Sequence, residues 1–189
     1  MVTIQTDNED NEDNKFKTLL ITTLNMARKL NKKRIIIFNR RVEKSMKNLS
    51  SIEDFKGLAN EKCMDNVHLY GISGKTDKTI NYTCFEEFNK KDEIIKIISN
   101  VGILREGTNL PLADMIVYCE AKHSTTLITQ NIGRVLRRKD DNSNSVIMIP
   151  IYCTKTSETQ TENVKSLISK QKFSILIQLV KVLREIDER

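Results

Sequence analysis

The chain has 189 residues, which is enough for one α/β domain with a terminal extension but is tight for two domains. Hydrophobic residues make up 39% and charged residues 30%, and no apolar run approaches the ~18 residues of a membrane helix, so no membrane partner is expected. The formal net charge is +6. Because five acids and no Lys or Arg precede Lys15, the rest of the chain carries +11, which suits a phosphate-backbone partner.

The N-terminal segment and the cysteines indicate the compartment in which the protein is expected. Residues 1–14 are acidic and polar, unlike a secretory signal, and are predicted to form a disordered tail. We therefore expect an intracellular protein, in the nucleus, the cytoplasm or a viral factory. No CxxC pair and no His at ligand spacing accompanies the cysteines, which predicts free thiols and no metal site. These cysteines are Cys63, Cys84, Cys119 and Cys153.

The first half of the chain alternates helix and strand. Apolar residues at three- and four-residue spacing predict a helix from Lys15 to Leu30. The β-branched run Arg34 to Phe38 predicts a strand that is buried on both faces of a parallel sheet. A helix is predicted over about 41–55, and a strand begins at Val67.

The second half continues the alternation. The pattern predicts a helix from Asp77 to about Asn89, strands over 94–99 and 115–119, a helix over 124–137 and a strand over 146–152. Such alternation favours an α/β fold with a doubly wound, mostly parallel sheet and helices on both faces. We expect one domain over residues 15–156 and a helical extension over 157–189.

The most informative segment is QNIGRVLRR, residues 130–138. Arg134 and Arg137 are three residues apart and so share one helix face, and Gly133 lets a backbone or ligand come close. Two guanidinium groups held in this way can grip a phosphate through paired hydrogen bonds. The alternative for this pattern alone is a solvated basic helix face.

The surrounding segments favour the phosphate site. The stretch ISNVGILREGTNLPLADMIVY, residues 98–118, followed by Gln-x-x-Gly-Arg-x-x-Arg, resembles motifs V and VI of superfamily two helicases. RIIIFNRR resembles motif IV, and the C-terminal helix is similar to one found in some type III restriction-type helicases. The resemblance covers about residues 30–189. It implies a RecA-like fold, specifically the C-terminal one of the two motor domains.

The resemblance also implies residue roles. Arg137 would be the arginine finger to the γ-phosphate of ATP, Arg134 its partner, and Gln130 a polar contact near the nucleotide, beside Gly133. Gly107 would let the motif V backbone approach the nucleotide. Asn109 stands where the family commonly has an acid near the ribose, and its amide can hydrogen-bond a hydroxyl but carries no charge. Six residues would contact the nucleic-acid backbone: Asn39, Arg40, Ser73, Lys75, Ser99 and Asn100.

Two features set limits on the catalytic role. The SGKT segment, residues 73–76, ends like a Walker A loop, but that motif needs Gly where Leu69 stands. No acidic DExH or DExD sequence occurs, so the ligands of the Mg²⁺ that accompanies ATP are expected in a first motor domain outside this chain. His68 and His123 are solitary and are not expected to be catalytic.

The sequence therefore predicts the C-terminal motor domain of an ATP-dependent helicase or translocase, inactive alone. It would act with an N-terminal RecA-like domain on DNA or RNA. The alternative is a stand-alone helicase-like module that binds nucleic acid or protein without hydrolysing ATP. An autonomous P-loop NTPase is contradicted by Leu69. The basic cluster Lys32, Lys33 and Arg34 either contacts phosphates or forms a solvated face.

Overall fold

The fold is described here from a computed structural model. It describes residues 3–6, 12–39, 66–74, 76–101, 110–119, 132, 144–149, 151–154, 181 and 184. The helix predicted over 41–55 lies outside these residues. Those predicted over 124–137 and after residue 157 do so except at Ile132, Lys181 and Arg184, which are helical.

The described residues include seven strands and two helices. They are β1 (Thr3–Thr6), α1 (Glu12–Lys29), β2 (Arg34–Phe38), β3 (Val67–Ser73), α2 (Lys78–Phe88), β4 (Ile95–Val101), β5 (Met115–Tyr118), β6 (Val146–Met148) and β7 (Ile151–Thr154). Neither described helix is both long and apolar enough to cross a membrane.

Five strands form the central sheet in the order β3-β4-β2-β5-β6, and every pair is parallel. The first strand of the sheet in sequence, β2, is central, and its apolar side chains are buried on both faces, as the β-branched run predicts. The doubly wound parallel sheet is confirmed.

Alternate residues along each strand face opposite sides of the sheet, and each side is covered by a helix. On one face, the α1 face, the core comprises Phe16, Leu19, Leu20, Leu24 and Ala27 of the helix with Ile35, Ile37, Ile95, Ile97, Met115, Val117 and Met148. On the other, the α2 face, it comprises Phe88 of the helix with Ile36, Phe38, Ile72, Ile98, Leu110, Ala113, Ile116, Tyr118 and Ile132.

The helix α2 starts where its sequence predicts. Asp77 is the N-cap, and its carboxylate accepts a hydrogen bond from the Thr79 N–H at 2.7 Å. The same backbone hydrogen bond lowers the pKa of Asp77. At the other end, the Asn89 N–H donates to the Phe85 carbonyl. The turn after β3 therefore leads directly into a capped helix.

Two of the predicted segments, residues 1–14 and 146–152, differ from the structure. Residues 1–14 are predicted to be disordered, but Thr3–Thr6 form β1, and α1 begins at Glu12. The run over 146–152 is predicted as one strand, but it divides into β6 and β7. Pro150 stands between them in the sequence and has no N–H to give to a ladder. β7 pairs in parallel with β1, outside the central sheet, so main-chain pairing orders a segment whose composition alone favours disorder.

One carboxylate secures the start of β2. Asp114, just before β5, accepts hydrogen bonds from the backbone N–H groups of Lys33 and Arg34, at 2.9 and 3.0 Å. Backbone bonds continue the same connection, because the Asp114 N–H donates to the Arg34 carbonyl. The side chain thus ties the entrances of two adjacent strands together.

Replacing Asp114 with Ala should destabilise the domain by roughly 1–3 kcal/mol, because two half-buried N–H groups lose their acceptor. Urea denaturation gives the free energy of unfolding. The matched control is Glu93→Gln, which affects an exposed ion pair to Lys33 and should change stability by less than about 0.5 kcal/mol. Equal effects of the two substitutions would contradict this role.

Candidate nucleic-acid and nucleotide interface

The candidate site lies at the carboxyl edge of the central sheet, where open α/β folds place their ligands. Because the strands are parallel, β2, β3, β4 and β5 all end at this edge. Polar residues stand at three of these ends: Asn39 after β2, Ser73 at the end of β3, and Ser99 with Asn100 near the end of β4. The register places Ile37 opposite Ser99, Phe38 opposite Asn100 and Ser73 opposite Val101. The structure thus brings together three strand ends whose polar residues are 26 or more positions apart in sequence.

Asn39 and Ser99 contact each other directly. The Asn39 side-chain Nδ2 donates a hydrogen bond to Ser99 Oγ at 2.7 Å, and the Asn39 N–H donates to the Asn100 carbonyl at 2.9 Å. Asn39 is 8% exposed and Ser99 only 1%. These two predicted nucleic-acid contacts are therefore mostly buried and bonded to one another.

Asn100 occupies the other side of the sheet. Residues of β4 alternate, so Ser99 shares the α1 face with Ile97, whereas Asn100 shares the α2 face with Ile98. Asn100 is 1% exposed. Nearby on the α2 face, Phe38 and Tyr118 stack with ring centroids 5.5 Å apart. The two adjacent polar residues of β4 therefore do not face the same ligand surface.

Of the remaining predicted site residues, Ser73 lies within a described strand. The backbone of Ser73 ends β3. Outside the described residues lie Arg40, Lys75, Gly107, Asn109, Gln130, Gly133, Arg134 and Arg137. Within the segment that resembles motif VI, Ile132 is helical and fully buried on the α2 face.

The opposite edge of the sheet carries a charge network that the sequence analysis did not identify. Arg34 and Lys96 are 4% and 1% exposed, and both pair with Asp92, at 2.8 and 2.5 Å. Arg34 also donates to the carbonyls of Lys90 and Ile94, and Lys96 donates to the Glu87 carbonyl in the last turn of α2. These two cations therefore serve the fold. A lysine within the apolar run IIKIIS was the signal, since a buried Lys needs a partner.

The same geometry contradicts both interpretations of the basic cluster at residues 32–34. Lys32 is buried and donates to the Asn144 carbonyl at 2.5 Å, while Lys33 pairs with Glu93. With Arg34 committed to the network, the cluster is neither a free phosphate site nor a simple solvated face. It joins the amino ends of the strands to the loops beside them.

The described cysteine and histidine side chains show no feature of a metal site. Cys84 and Cys119 are free thiols, as predicted, and burial raises the pKa of the Cys84 thiol, which disfavours a reactive thiolate. His68 lies on β3 with its Nδ1 3.4 Å from the Tyr70 hydroxyl. Among the described residues no three His, Cys, Asp or Glu side chains are placed to hold a metal ion. The polar side chains described at the carboxyl edge, those of Asn39, Ser99 and Asn100, are neutral and buried.

A parallel five-stranded sheet in this order, with a helix on each face and polar strand ends at one edge, defines a RecA-like α/β domain. The family model of the helicase conserved C-terminal domain matches residues 14–139, about two thirds of the chain. The chain belongs to this family of helicase C-terminal domains. A comparison with curated protein sequences finds no match.

Solved structures show the same fold. The chain is similar to an ATP-dependent Type ISP restriction-modification enzyme, LlaBIII, bound to DNA, with a TM-score of 0.66 and 22% identity over 92% of this chain. It is also similar to domain 2 of the DEAD-box helicase Mss116p bound to an RNA duplex, with a TM-score of 0.51 and 14% identity over 96% of this chain and 76% of that one. A third similar structure is the SWI2/SNF2 ATPase core of Sulfolobus solfataricus with double-stranded DNA, with a TM-score of 0.50 and 17% identity over 72% of this chain and 26% of that one. The chain spans only 12% of the restriction-modification enzyme.

Proposed function

We propose that this chain is the C-terminal motor domain of an ATP-dependent nucleic-acid helicase or translocase. One observation carries the proposal: the family match over residues 14–139 includes the motif V and motif VI segments, and the strands that precede them end together at one edge of a RecA-like sheet. Ligands bind at that edge in open α/β folds. The proposal assigns it one half of an ATP site and part of a nucleic-acid track.

The buried Ile132 supports the assignment of the nucleotide half-site. In the helix predicted for residues 124–137, positions two and five after Ile132 lie on the side opposite to it, because an α-helix turns about 100° per residue. Ile132 faces the core on the α2 face. The proposal assigns Arg134 and Arg137, in the same predicted helix, to a nucleotide held by another domain.

In this function Arg137 stabilises the charge that develops on the γ-phosphate during phosphoryl transfer, and Arg134 binds the phosphates beside it. Gln130, Gly133 and Gly107 are proposed to line the nucleotide. Asn109 offers the ribose a hydrogen bond without charge. Residues of a first motor domain would hold the Mg²⁺ that accompanies ATP, and the ion would neutralise charge on the phosphates.

The nucleic-acid half of the proposal rests on chain charge and on the fold. Excluding the acidic residues before Lys15, the chain carries +11, and such an excess attracts a polyanionic backbone. Three structures with this fold are bound to DNA or RNA. We propose contacts from Arg40, Ser73 and Lys75, with the ends of β2 and β4 alongside. Closure of the two motor domains around ATP would then move the bound strand.

The test is ATP hydrolysis by the isolated chain and by the longest natural reading frame that contains it. Each is assayed with and without oligo(dT) and oligo(rU). We expect hydrolysis only by the protein that also carries a GxxxxGK[ST] loop and a DExH-type motif, and stimulation by one of the oligonucleotides. Hydrolysis by the isolated chain would contradict the half-site proposal, and binding without hydrolysis by the longest protein would favour a stand-alone binding module.

A further inference from the structure

The polar bridge at the carboxyl ends of β2 and β4 is placed where the two strands leave the sheet. Asn39 is the first residue after β2, and its N–H extends the ladder by donating to the Asn100 carbonyl at 2.9 Å. Its Nδ2 donates to Ser99 Oγ at 2.7 Å. One residue therefore holds β4 through both its backbone and its side chain.

The bridge is the polar end of an otherwise apolar layer. On the α1 face, Ile35 and Ile37 precede Asn39 along β2, and Ile95 and Ile97 precede Ser99 along β4. An apolar pair would fill the same space at no loss of stability, whereas a buried polar pair must find its hydrogen bonds. Along β2 and β4, polar side chains on the α1 face occur only at the strand ends, where the chain continues to residues 40 and 102–109. This placement indicates a role in those departing segments.

The burial of the pair argues against direct contact with a ligand. Asn39 is 8% exposed and Ser99 is 1% exposed, and the Asn39 amide group donates to the Ser99 hydroxyl. A side chain that touched a phosphate would need to present its polar atoms to solvent. Instead, the two polar groups are turned towards one another across neighbouring strands.

We propose that Asn39 and Ser99 are positioning residues that act as one unit in nucleic-acid binding. The bridge sets the separation of the β2 and β4 ends, and with it the place from which Arg40, the next residue in the sequence, engages a single-stranded backbone. This replaces the direct contacts that the helicase resemblance implies for these two side chains. The inference rests on the proposed nucleic-acid function of the carboxyl edge.

A double-mutant cycle tests this positioning role in the protein encoded by the longest natural reading frame that contains this chain. Asn39→Ala, Ser99→Ala and the double variant are compared by fluorescence anisotropy with labelled oligo(dT) and oligo(rU) of about 20 nucleotides. Each single substitution breaks the same bridge, so each should weaken binding about tenfold, and the double variant should also lose only about tenfold. Ser99→Thr, which keeps the hydroxyl, should restore most of the affinity.

Controls separate this role from general stability. Thr23→Val removes another buried hydroxyl, which donates to the Leu19 carbonyl at 2.7 Å, and should leave oligonucleotide affinity unchanged. Asn39→Ser, which is too short to keep the bridge, replaces Asn39→Ala if that variant does not fold. If the double variant loses about a hundredfold in affinity, Asn39 and Ser99 make two independent contacts and the proposal that they act as one unit is wrong. Unchanged affinity in the single variants would also contradict it. Failure of the wild-type protein to bind either oligonucleotide would instead overturn the proposed function itself.

Discussion

Replacing Arg137 with Ala should lower ATP hydrolysis by the protein that contains both motor domains by ~10³-fold or more. In the proposed mechanism the Arg137 guanidinium meets charge that develops in the transition state, so its loss affects turnover more than ATP binding. Steady-state kinetics at saturating nucleic acid provide the measurement. The turnover number should fall while the ATP concentration at half-maximal rate changes little.

Two further arginine variants make this result specific. Arg137→Lys keeps the charge but loses the planar fork that grips phosphate oxygens, so it should remain strongly impaired. Arg138→Ala removes the neighbouring guanidinium, which is not part of the Gln-x-x-Gly-Arg-x-x-Arg pattern, and serves as the matched control near wild-type rate. If Arg137→Ala and Arg138→Ala hydrolyse ATP equally well, Arg137 is not the arginine finger.

The second large effect concerns stability. Replacing Asp92 with Ala should lower the free energy of unfolding by about 3 kcal/mol, because Arg34 and Lys96 remain buried without their shared counter-charge. We place the effect at the lower end of the range for broken buried pairs. Asp92 is itself about a third exposed, and both cations keep carbonyl acceptors. Urea denaturation of the isolated chain, followed by circular dichroism, measures this loss.

The pH dependence of the same network gives an independent check. Lys96 and Arg34 lower the pKa of Asp92 below its ordinary value by hydrogen bonding and charge. A carboxyl whose pKa is lowered by folding contributes stability above the unfolded pKa, near 3.9, and the contribution is lost as the pH falls through the folded pKa. The stability difference between wild type and Asp92→Asn should therefore be full at neutral pH and shrink below about pH 4. Glu93→Gln, at the exposed neighbouring ion pair, provides the control. A difference independent of pH would show that the charge of Asp92 is not what stabilises the fold.

The helices and strands that could be predicted from the sequence are those encoded by local periodicity. The run RIIIF and the three- and four-residue spacing of apolar residues in α1 encode strand and helix within single segments, and the structure has both within three residues of their predicted bounds. The order of the motif segments likewise indicated the helicase domain that the family match identifies. The roles of Arg134 and Arg137 remain predictions, because they lie outside the described residues.

What the sequence by itself determined, therefore, is the alternation of elements, the parallel sheet and the family. Only the tertiary structure decided which polar residues meet. Asn39 and Ser99 are 60 positions apart, Arg34 and Asp92 are 58 apart, and strand pairing places each pair within hydrogen-bonding distance. Residues Thr3–Thr6 likewise form a strand because they pair with β7, although the composition of residues 1–14 favours disorder. The physical reason is that periodicity records the burial of each residue along one element, whereas partner choice depends on strand order and register, which no single segment contains.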